Sequence, residues 1–94
     1  IVLAQERISL DKDGEFKKQR DCIRGCLLEG WDMYDLDGFL GCRDSWYNEC
    51  FCRADRASEA DRFLSTCIKS GCGASATVDL SIAQSVYHQY CSTA

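Results

Sequence analysis

The chain has 94 residues, a net charge of −4 and eight cysteines. A chain of this length makes one domain, and its apolar core alone is marginal because so much of a small domain's surface stays wet. The acidic balance speaks against nucleic acid and anionic lipid as partners, which most of the surface repels, and no apolar run approaches the length of a membrane span.

The first twelve residues have no sustained period and read as an N-terminal arm, residues 1–12, ahead of a single domain over 13–94. Ile1 to Ala4 fits three readings: the tail of a signal peptide, with Val2 and Ala4 where small residues precede cleavage, an apolar arm packed on the domain, or a remnant of an expression vector. From Gly14 to Leu28 the apolar positions Phe16, Ile23, Cys26 and Leu27 recur at helical spacing. Asp13 caps the start of this predicted helix and Gly30 stops it. Lys17, Lys18, Arg20 and Arg24, interleaved with Asp13, Glu15 and Asp21, form its solvated face. Cys22 and Cys26 lie one turn apart, so both sulfurs face the same neighbour.

Trp31 to Arg53 is aromatic and irregular, with Gly38 and Gly41 marking short helical turns and loops. Ser58 to Ser70 is the clearest helix: Ala60, Phe63, Leu64, Cys67 and Ile68 make an unbroken stripe, Ser58 with Asp61 approximates a capping box, and Lys69 and Gly71 close the end. A last helix begins near Thr77 or Asp79 and buries Ile82, Ala83, Val86 and Tyr90. No alternating run is long enough to build a sheet, so the expected fold is all-α: a small basket of short helices held by four disulfides.

The cysteines, Cys22, Cys26, Cys42, Cys50, Cys52, Cys67, Cys72 and Cys91, form an even set typical of an oxidising compartment, which places the protein outside the cell. Structural zinc sites favour C-x2-C pairs or Cys/His quartets, and this chain has neither pattern. A bridge between Cys50 and Cys52 would close a strained ring, so each is expected to staple a different element; the remaining pairing stays open.

Taken together, the order Cys22-x3-Cys26-x15-Cys42-x7-Cys50-x-Cys52-x14-Cys67-x4-Cys72-x18-Cys91 resembles the CFEM domain, the eight-cysteine extracellular module of fungi, over residues 20–91. The interval between Cys26 and Cys42 is longer than that family's usual one, the interval before Cys91 is slightly long, and the proline common before the first cysteine is absent. The resemblance implies a helical basket at a fungal cell surface or outside it, with roles in haem capture, adhesion or virulence. In haem-binding members an aspartate between the third cysteine and the C-x-C ligates ferric iron, and Asp44 stands in that interval. Trp46, Tyr47 and Phe51 would then supply part of an apolar platform.

The residues themselves offer other assignments. An aspartate in a loop is ordinarily a turn or cap residue, which is the competing role for Asp44. Asp35-x-Asp37-Gly38 hints at a calcium loop that also uses Asp44, but the first ligand position is Met33, so Asp32, Asp35 and Asp37 are expected to cap a turn before Phe39. Trp31, Tyr34, Trp46 and Tyr47 have the composition of a partner-binding surface, against the alternative that they fill the core. His88, the single histidine, is expected on the surface without a partner. With every cysteine oxidised and no nucleophile-elbow pattern, no catalytic site is expected.

The resulting expectation is a secreted fungal interaction protein, a virulence or host-interface effector whose partner is an extracellular protein, a wall component or a host target. It needs no cofactor. The alternative is a haem scavenger using Asp44. A structural wall component or the ectodomain of a larger membrane protein is a third possibility.

Overall fold

The structure is a computed structural model that describes residues 7–28, 35–42 and 47–93. Its helices are α1 (Gly14–Lys17), α2 (Asp21–Leu27), α3 (Leu36–Phe39), α4 (Asn48–Phe51), α5 (Ala57–Gly71) and α6 (Thr77–Thr93), with 3-10 turns at Leu10–Lys12 and Ala54–Arg56. Among the described residues there is no strand, only an isolated antiparallel bridge between Arg7 and Tyr47. The expected all-α class holds.

The predicted first helix is broken in two. Asp13 caps α1 as expected, its carboxylate accepting from the Glu15 amide at 2.9 Å, but α1 ends at Lys17 and α2 starts at Asp21. The polar run Lys17-Lys18-Gln19-Arg20 gives a continuous helix nothing to bury, and the Gln19 side-chain amide donates to the Glu15 carbonyl at 2.8 Å. The break costs the core nothing, since Phe16, Ile23, Cys26 and Leu27 are all buried. Most of the basic face is neutralised: Lys18 pairs with Glu15, Arg24 with Asp21, and Arg20 with Asp79 in the first turn of α6 at 2.6 Å.

α5 is the central element and packs against α2, α3 and α6. Leu64 and Ile68 are fully buried on its inner face and Arg62 and Lys69 are exposed, as the stripe predicts, but Phe63, expected in the buried stripe, is only half-buried because it lies at the stripe's edge. The predicted capping box does not form. The helix begins at Ala57 directly after the 3-10 turn, Ser58 is its second residue, and the Asp61 carboxylate turns to His88 on α6 at 2.9 Å. His88 is therefore exposed but partnered, because the two helices pack closely enough for a pair across their outer edge.

On α6, Ala83, Val86 and Tyr90 are buried as expected and Ile82 is half-buried, while Tyr87 takes a core position that the sequence left unassigned. The Tyr87 hydroxyl donates to the Phe51 carbonyl at 2.8 Å, and its ring meets Phe51 edge-on at 5.2 Å. The Tyr90 hydroxyl accepts from the Ser9 amide at 2.9 Å and donates to Asn48, joining the arm, α4 and α6. Ile8 and Leu10 of the arm are buried in the same core.

All eight cysteines are bridged: Cys22–Cys72, Cys26–Cys67, Cys42–Cys50 and Cys52–Cys91. As expected, Cys22 and Cys26 both reach one neighbour, α5 and its C-cap, and Cys50 and Cys52 staple different elements.

Two outcomes follow from this core. Leu64→Ala should lower the unfolding free energy of the oxidised protein by about 2–4 kcal/mol in a urea titration; an unchanged midpoint would show that this face is not the core. Burial also pushes the Tyr87 phenol up from its ordinary value to about 12. The folded state thus holds this proton more tightly than the unfolded chain, so its contribution to stability is intact below about pH 10 and is lost as pH rises toward 12. The urea midpoint should fall across the alkaline part of this window, and Tyr87→Phe should flatten that fall.

Candidate functional site: an aromatic groove between α3 and α5

Asp35 starts α3, its carboxylate accepting from the Gly38 amide at 2.8 Å. Asp35 thus takes the capping role expected of it; Asp37 is instead buried within α3, and Asp32 lies outside the described residues. The helix stops at once: Gly41 takes a left-handed φ of 76°, the Cys42 amide bonds the Asp37 carbonyl at 3.0 Å, and the Gly41 amide bonds the Gly38 carbonyl at 3.1 Å. This is a Schellman stop, which needs glycine at the left-handed position. Leu36 and Leu40 point into the core on one side of the turn. The remaining large side chain, Phe39, is left 41% exposed.

Phe39 stacks on Phe63 of α5, with ring centroids 4.8 Å apart and planes inclined by 22°. The two rings border an open groove of about 470 Å³ completed by Glu59, Arg62 and Thr66. Residues 59, 62, 63 and 66 stand at i, i+3, i+4 and i+7 on α5, so one outer stripe of a single helix forms one wall and Phe39 the other. Arg56 lies 5.5 Å from the Phe39 ring centroid and donates to Glu59 at 2.8 Å, which neutralises that carboxylate. Its guanidinium also reaches the Leu40 carbonyl at 3.3 Å, tying the start of α5 to the end of α3.

Of the residues singled out for partner binding, Tyr47 is half-buried. Arg7 sits 5.6 Å from its ring centroid, and it borders a second concavity of about 510 Å³ with Glu49, Cys50 and Arg53. There Arg53 donates to Asp55, and that bond holds the Asp55 carboxyl below its ordinary range. Trp31, Tyr34, Trp46 and the candidate iron ligand Asp44 lie outside the described residues. Phe51, assigned to a haem platform by the resemblance, is fully buried against Tyr87 and Tyr90.

Phe39 and Phe63 were not among the sequence-based candidates for binding. Phe63 falls in the α5 stripe and reads as core; Phe39 is recognisable only once the Leu36/Leu40 pair is assigned inward, leaving the residue between them outside. Among the described residues one trio with metal-ligand atoms comes together, Cys22, Cys72 and Asp79. Its two sulfurs are bonded to each other and its carboxylate to Arg20, so no thiolate is free to ligate.

No family model, curated protein or solved structure matches the chain. No helix among the described residues is long and apolar enough to cross a membrane. The four disulfides fit an extracellular protein.

Proposed function

We propose that this is a secreted fungal cysteine-rich interaction protein, an effector at a host or cell-wall interface, that acts by binding rather than by catalysis. The observation that carries this reading is the stacked Phe39–Phe63 pair, held partly open to solvent on a disulfide-bridged frame. Large aromatic side chains with few rotatable bonds lose little entropy on contact and make strong anchors for a partner. The frame behind them is fixed by Cys26–Cys67, which ties α5 to α2, and by the α3 stop next to Cys42–Cys50. The fungal and effector parts of the proposal come from the resemblance of the cysteine order to the CFEM domain. Haem capture through Asp44 is the alternative and is supported by that resemblance alone.

Two preparations distinguish these. The oxidised protein and Phe39→Asp, with coincident circular dichroism spectra, are incubated with fungal cell walls and with host extracellular fluid. Retention of the parent should fall at least about fivefold in the variant, a loss of roughly 1 kcal/mol. Equal retention of both, together with a stoichiometric ferric-haem complex abolished by Asp44→Ala, would replace interaction by haem binding.

A further inference from the structure

We propose that the Phe39–Phe63 groove takes a small aromatic carboxylate, with its ring against the two phenyl rings and its acid on the Arg62 guanidinium. This rests on the reading of the groove as the recognition surface and adds the chemistry of its occupant. A volume of about 470 Å³ lies in the range of small-molecule sites.

The charges around the groove fix the polarity of the ligand. Glu59 is taken by Arg56, and Asp61, its neighbour along the helix, is turned to α6 where it holds His88. Arg62 is exposed and pairs with no acid among the described residues. Among the described residues, two guanidiniums, Arg62 in the groove wall and Arg56 beside it, therefore stand against the one carboxylate of Glu59, and the surplus positive charge is that of Arg62. A cationic ligand would meet this surplus directly, and the ring face that could hold a cation already has Arg56 beside Phe39. The planar fork of a single guanidinium matches one carboxylate through two parallel hydrogen bonds, whereas a phosphate group calls for a cluster of cations.

The rings select the rest of the ligand. Offset stacking on phenyl rings favours a flat aromatic body, and the Arg62 stem extends the apolar wall toward the charged end. The net charge of −4 works against any anion at long range, but at physiological salt that repulsion is screened beyond about 8 Å, and the local pair decides.

The test uses 2-naphthoate and its neutral, nearly isosteric amide, 2-naphthamide, titrated at neutral pH into the oxidised, 15N-labelled protein while amide shifts are followed. Both probes should perturb α3 and the outer stripe of α5 saturably, with naphthoate bound about three- to tenfold more tightly. Arg62→Gln should abolish that preference and leave naphthamide binding unchanged; Phe39→Ala should weaken both. Equal affinity of the parent for the two probes, or a preference that survives Arg62→Gln, would overturn the carboxylate assignment while Phe39-dependent binding left the groove in place. Absence of any saturable shift in α3 and α5 with either probe would overturn both.

Discussion

Two bridges leave one turn of α2 for one helix. Cys22 and Cys26 are four residues apart, and their partners Cys72 and Cys67 lie at the C-cap and within the last turns of α5. Parallel cross-links between the same pair of helices fix their spacing and their rotation, which one bridge alone would leave free. They close chain separations of 50 and 41 residues, and in the loop-entropy picture each such closure removes about 4 kcal/mol of freedom from the unfolded chain. The loops are nested, so the two contributions overlap. Even so, their sum is comparable with the whole stability of a domain this small.

The rest of the molecule is arranged on that pair. Leu64 and Ile68 of α5 share one core with Ile23 and Leu27 of α2, to which α6 adds Ala83, Val86, Tyr87 and Tyr90. Cys52–Cys91 secures the end of α6 to the end of α4, and the Tyr90 hydroxyl carries the tie on to Ser9 of the arm. No bridge reaches the described part of the arm or α1, which Ile8, Leu10 and Phe16 hold in the core together with the Arg7–Tyr47 contact and the Ser9–Tyr90 hydrogen bond. The groove inherits its rigidity from α5: its long wall is the outer stripe of the very helix whose inner stripe is bridged and buried.

What was legible in the sequence was whatever is periodic. The α5 stripe gave its buried face and its end at Gly71, and the four-residue spacing of Cys22 and Cys26 gave their common neighbour. What depends on contacts between distant segments was not. Local spacing suits Asp61 to a cap, but the imidazole of His88 on α6 lies 2.9 Å from its carboxylate, a partner that only the packing of the two helices supplies. Tyr87 stands four residues after Ala83 and three before Tyr90, on the stripe assigned to α6, so its core position was open to the same periodicity, whereas the bond from its hydroxyl to the Phe51 carbonyl was not. Phe39 is ambiguous locally: three residues of one short turn, Leu36, Phe39 and Leu40, are all apolar, and only the packing shows which of them is left outside.

Reduction of the four bridges tests most directly whether they hold the helices together. The native protein should titrate no thiol in the absence of reductant, and the fully reduced, alkylated chain should lose most of its helical far-ultraviolet circular dichroism and its cooperative thermal transition at neutral pH. A reduced chain that kept the helical spectrum and melted cooperatively would show that the apolar core suffices and that the bridges merely decorate a fold stable without them.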